Sequence, residues 1–160
     1  MDKLSVGQPK EAAMVDWIAH PDKERGYTLY LPEPAPSGAT VTILRNERDG
    51  MRQIHGMTED MCEVYFEVVT FPHPQPHGKL IASQQKFLEQ HAQRGDVGAT
   101  QTCELFGYSA SMFEFDGFLQ GMDKVRRFHF VDANERTYRI VSDPRSATNA
   151  DIIARMELHA

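Results

Sequence analysis

MCEVYFEVVTF, residues 61–71, alternates with period two. Cys62, Val64, Phe66 and Val68 fall on one face, and Glu63, Tyr65 and Glu67 fall on the other, which is the side-chain pattern of a β-strand. Its β-branched and aromatic content predicts a central strand with one wet face, so the fold is built around a sheet. Directly downstream, FPHPQPHG at residues 71–78 places three prolines where a ladder needs N–H donors, and the strand must stop there. GKLIASQQKFLEQHAQRG, residues 78–95, then switches to helical spacing, with Leu80, Ile81, Gln84, Phe87, Leu88 and His91 in one stripe and Gly95 as a stop.

The same reading extends outward in both directions. Residues 1–10, with Gly7 and Pro9, read as a flexible N-terminal arm, and residues 11–160 as a single globular α+β domain. Residues 11–20 fit helical spacing through Met14, Trp17 and Ile18, yet their end also suits a strand. Residues 27–31 form a short strand that Pro32, Pro34 and Pro36 terminate. Residues 39–45 alternate Val41 and Ile43 against Thr40 and Thr42, and Asp49-Gly50 marks a hairpin turn with a return strand. Residues 100–105, 109–115, 125–131 and 136–141 read as four further strands, with a turn at residues 132–135. Thr148 and Asp151 stand as a capping pair for a short C-terminal helix that carries Ile152, Ile153 and Met156.

Composition bounds the function. The 160 residues suffice for one core that buries about two-thirds of the unfolded surface. Seventeen basic against 23 acidic residues give a net charge of -6, and the basic residues cluster only at Arg126-Arg127, which argues against a nucleic-acid partner. No stretch approaches the roughly 20 apolar residues that cross a bilayer, and MDKLSVGQPK lacks an apolar signal core, so the expectation is cytoplasmic unless a signal or lipid anchor has been removed. Cys62 and Cys103 read as buried apolar thiols.

Overt chemistry is sparse. His73 and His77 are four apart, a spacing that serves metal binding on a helix. Pro72, Pro74 and Pro76 forbid a regular helix there, and no third ligand is close in sequence, so no metal is expected. GYSAS, residues 107–111, approaches a nucleophile elbow with Ser109 as its nominal nucleophile. That motif needs a strand-to-helix turn, while SASMFEF continues in strand period. Glu114 and Asp116 share one side of a strand and read as a solvated face, as does the charged run RNERDGMR. Phosphate loops and Cys-x-x-Cys pairs are absent, so no cofactor is expected.

GYTLYLPE, residues 26–33, resembles the opening strand of PsbP-like proteins, a superfamily that includes Ran-binding Mog proteins, DcrB-type lipoproteins and effector-associated chaperones of type VI secretion. ELFGYSASMFEF resembles their central strand pair, with its small-residue step at Gly107 and Ala110. RRFHFVDANERTYRIVSDPRSATNADIIARMEL is similar to their closing hairpin and C-terminal helix. The likeness spans most of residues 14–158, with Glu33-Pro34-Ala35-Pro36 in place of the usual glycine-tryptophan. It implies an α/β/α sandwich with an antiparallel central sheet flanked by helices, no catalytic centre, and action through a surface shown to a protein partner.

Two functional expectations follow. The first is a non-enzymatic interaction module, adaptor or small chaperone. The alternative is a small hydrolase or small-molecule-binding protein using the Ser109 region. For the first, Tyr65, Phe113 and Phe115 fall on strand parities that could form one aromatic face bordered by carboxylates, the composition of a contact patch. The competing expectation is that a helix covers this face.

Overall fold

In the computed structural model, which describes residues 15–159, the chain forms two antiparallel sheets and two helices. The predicted arm at residues 1–10 lies outside the described residues. The small sheet contains β1 (Trp17–Asp22), β2 (Tyr27–Pro32) and the short β11 (Glu157–Leu158), in the order β1-β2-β11. The large sheet contains β3 (Thr42–Arg48), β4 (Met51–Met57), β5 (Tyr65–Phe71), β6 (Arg94–Val97), β7 (Gln101–Leu105), β8 (Tyr108–Leu119), β9 (Met122–Ala133) and β10 (Arg136–Ser142). Its spatial order is β3-β4-β5-β10-β9-β8-β6, and β7 continues the edge beyond β6 by pairing with the other end of β8. The helices are α1 (His77–His91) and α2 (Ala147–Arg155).

Four of the strand connections are two-residue turns with both residues left-handed: Asp49-Gly50, Phe106-Gly107, Gln120-Gly121 and Asn134-Glu135. This conformation matches the twist of the flanking strands. It lets β8 and β9 run as a 12-residue hairpin, longer than the strand periods at residues 109–115 and 125–131 suggest. Gly107 is part of such a turn, so GYSAS sits in a β-hairpin.

Two cores lie on opposite faces of the large sheet. On one face Phe66, Val68, Tyr138, Ile140 and Val131 meet Tyr27, Leu29 and Leu31 of the small sheet and Ile152 of α2. The approach is close: a Cβ on Gly56 would lie 2.7 Å from Leu31 Cδ1, so a larger residue there would require the Leu31 side chain to shift. On the other face Phe113, Phe115, Phe128, Phe130 and Val141 pack beneath Ile81 and Leu88 of α1.

The α+β class holds, but the flanked-sandwich expectation needs correction. One side of the large sheet is covered mainly by β-structure, because β1 and β2 pair with each other into a separate layer. The wet face expected for residues 61–71 is also covered: Val69 and Glu67 are buried. Residues 58–64 form a loop in which Met61 is left-handed and the Thr58 N–H donates to the Val64 carbonyl, so β5 begins at Tyr65. Cys62 therefore leaves the strand parity, and both cysteines are half-buried free thiols instead of fully buried ones. Gly95 does not stop α1. It stands in β6 directly opposite Gly117. Ser146, and not Thr148, occupies the N-terminal boundary of α2, its hydroxyl donating to the Glu63 carbonyl at 2.7 Å.

Candidate functional site

The three residues singled out as a contact patch are brought together, but beneath α1. Phe113 and Phe115 are 0% and 1% exposed, and the Phe113 ring stacks on Phe128 with centroids 4.7 Å apart and planes within 6°. Tyr65 is half-buried, with the Arg126 guanidinium 3.6 Å above its ring and His55 edge-on at 4.7 Å. Burial raises the Tyr65 phenol above its ordinary pKa, with Glu67 adding to the effect. A partner could reach Phe113 only by displacing α1, so the helix-covered expectation describes these aromatics.

The same face of the sheet continues past α1 onto β3 and β4. Cross-strand partners share a face, and the pairs Thr42–Met57 and Leu44–His55 put these four side chains on the side of Tyr65. There Leu44 is 52% exposed. Together with Met57, Met61, Thr40, Thr42 and Glu59 it lines an open groove of about 590 Å³. Strand β3 is an edge: among the described residues it pairs only with β4. Its distal half carries Arg45, Glu47 and Arg48, charges that oppose further strand pairing. The half along the groove carries none. One signal in the sequence could have found this site, since Leu44 stands on the parity of Thr40 and Thr42, an apolar side chain on an otherwise polar face.

At the end of β5 and β10 a buried polar cluster ties the layers together. Asp143 is fully buried and accepts bonds from Arg126 Nη1 at 3.0 Å and from Arg145 Nη2 at 2.6 Å. Asn149 of α2, 1% exposed, accepts from the Tyr65 N–H at 3.0 Å and donates to the carbonyls of Cys62 and Asp143. Sequence adjacency suggested a basic Arg126-Arg127 patch. The strand parity separates the pair, with Arg126 buried on one face and Arg127 held by Glu114 at 2.6 Å on the other.

The remaining sequence candidates are dispersed. Ser109 is exposed on β8 opposite Glu104, just after the two-residue turn, and no helix follows it as an elbow requires. His77 opens α1 and its Nε2–H donates to Asp132 Oδ1 at 2.9 Å, while His73 lies exposed in the preceding loop. Among the described residues no three ligating side chains converge on a point. Glu114 is spent on Arg127, and Asp116 faces solvent.

A second cavity, about 270 Å³, lies between α2 and the opposite face of the sheet and is lined by His129, Arg127, Ser142, Ser146 and Leu105. His129 is 7% exposed and its Nδ1 has no hydrogen-bond partner among the described residues. Burial pulls this imidazole down to about 4, with Arg127 adding to the effect. The unfolded chain takes up the proton near the ordinary value of about 6.5, whereas the folded one resists until about 4. Stability is therefore expected to fall as pH drops through this window, by about 3 kcal/mol from this group, with no further loss from it below. Urea melts from pH 7 to 4 check this: His129→Gln should lose part of the slope, the half-buried His55 imidazole, also pulled down by burial, keeping another part, and an unchanged slope refutes the assignment.

No family model matches the sequence, and no curated protein matches it. Solved structures do. The solution structure of cyanobacterial PsbP (CyanoP) from Synechocystis sp. PCC 6803 aligns over 99% of this chain and 98% of that one, with a TM-score of 0.59 at 8% identity. A protein of unknown function from Pseudomonas aeruginosa aligns over 84% of this chain and 88% of that one, with a TM-score of 0.40 at 12% identity. No helix among the described residues is long and apolar enough to cross a membrane. With nearly the whole of both chains aligned, then, the chain has a PsbP-like fold.

Proposed function

We propose that the protein is a non-enzymatic interaction module, of the adaptor or small-chaperone kind, that binds an extended segment of a partner protein along residues 39–44. The observation that carries this reading is the groove beside the uncharged half of edge strand β3. An unpaired strand edge offers backbone donors and acceptors to a peptide, and pockets beside it select alternate side chains. Met57 and Met61 supply a deformable apolar floor, and exposed Leu44 supplies a contact that water does not favour. Glu59 at the rim favours a partner segment with a basic residue at that end.

Selection from a displayed library of random peptides tests the reading. Enriched sequences should alternate apolar and polar residues, and their binding should fall at least tenfold, about 1.4 kcal/mol, on Leu44→Glu. Leu44 is half-exposed, so this substitution should leave the denaturant midpoint nearly unchanged. Absence of enrichment, or enriched peptides that bind Leu44→Glu as well as the parent, overturns the proposal.

A further inference from the structure

Beneath α1, on the face that carries Tyr65, a cavity of about 140 Å³ separates the helix from the sheet. Its lining includes Lys124, Arg126, Arg139 and a single carboxylate, Glu67. Lys124 and Arg126 lie two residues apart on β9 and are 5% and 4% exposed. The charge of Arg126 is met by Asp143 at 3.0 Å. Arg139 has its partner in Glu67 at 3.2 Å, and its Nη1 donates to Gln84 at 2.8 Å.

Lys124 is different. Its ammonium has three N–H donors, and its one protein hydrogen bond among the described residues is to the neutral Gln120 Oε1 at 2.8 Å. No carboxylate of the described residues lies within ion-pairing distance of it. Burial pulls the lysine below its ordinary pKa, and nearby Arg126 pulls it further. A buried cation without a counter-charge is costly, and buried donors without acceptors add to the cost. With Arg126 paired to Asp143 and Arg139 to Glu67, Lys124 is the cation of this lining left without a counter-charge, and an anion would supply it.

We infer that this cavity is a binding site for one small oxyanion, a phosphate, a sulfate or the carboxylate of a short acid, held by Lys124 Nζ. The volume admits an oxyanion and little more, so a larger ligand would place only its anionic group here. Gln84 and Gln120 line the cavity too, and their amide groups give neutral donors that suit an anion of either shape. The site is independent of the β3 groove. It lies under α1 on the interior strands, and either could exist without the other.

Calorimetry and thermal melts with sodium phosphate, sodium sulfate and sodium acetate, at ionic strength held constant with sodium chloride, test the inference and distinguish the oxyanion sources. At least one of the three should bind saturably and raise the melting temperature, and Lys124→Met should weaken it by about tenfold or more. Without the anion, Lys124→Met should melt no lower than the parent, because it removes an uncompensated buried charge. In the parent protein, titration should also shift the NMR signals of the Gln84 and Gln120 side-chain amides, a reading that needs no variant. Unsaturable effects, equal binding by the parent and Lys124→Met, or unmoved amide signals with all three anions overturn it.

Discussion

Asp143→Ala is expected to lower stability by about 3–5 kcal/mol, the range for removing one partner of a buried ion pair. The carboxylate is fully buried and takes Arg126 on one side and Arg145 on the other. Arg145 has a half-exposed side chain and can turn to water, but Arg126 cannot, since its side chain is 5% exposed. The loss should therefore be partly reversed by Arg126→Met in the same chain, whereas Arg145→Met should recover little. Denaturant melts of the two double variants measure this, and a cost below about 1 kcal/mol for Asp143→Ala would show that the pair is not holding the layers together. The pH dependence carries a matching sign. Burial pushes the Asp143 carboxyl up, but bonds from Arg145 and the charge of Arg126 outweigh it and hold the group below its ordinary value. Its contribution is thus complete above about pH 4 and is lost as pH falls through the depressed folded value, below the window assigned to His129.

Phe113→Ala is expected to cost about 3–5 kcal/mol, the loss typical of truncating a core aromatic. Its ring is 0% exposed, stacked on Phe128 and 6.4 Å from Phe130, and α1 closes over it with only Ile81 and Leu88 fully buried. So narrow a helix contact should loosen when the ring beneath it goes, and amide exchange in α1 should accelerate more than in β10. Equal acceleration throughout would mean that the cavity is transmitted to the whole sheet. A loss near zero would return Phe113 to the surface role that its strand parity first suggested.

Period-two alternation exposed most of this sheet, because burial on one face of a strand leaves a mark every second residue. It misled where both faces are covered. In β5, Glu67 and Val69 sit on the parity that looks solvated, but Glu67 is buried with the Arg139 guanidinium and the Gln53 amide as partners. A charged residue that is paired in the interior looks the same in sequence as one that faces water. Strand β6 was illegible for another reason: RGDV has no strand composition, and its pairing comes from the Gly117 backbone opposite Gly95. The candidate groove was only partly legible. Leu44 breaks the parity of its strand and Met57 comes beside Thr42 through the β3–β4 pairing, but Met61 reaches the groove through its own left-handed bend, which no local pattern announces. Lys124 and Arg139 lie 15 residues apart and are brought to one cavity by the pairing of β9 with β10.

The strand order has a consequence for how the chain reaches this structure. β3, β4 and β5 form one meander in chain order, and β8, β9 and β10 form another, each made by pairing strands that are neighbours in sequence. The large sheet becomes continuous only where β5 meets β10, and the partners across that seam are 66 to 76 residues apart. Closing a loop of that length costs chain entropy that the local hairpins do not face. Two contiguous subdomains should thus gain order early and independently, and the seam should form after them, with the Asp143 and Asn149 bonds locking it once it is in register. The docking of two preformed halves is then expected to be slower than the formation of either half.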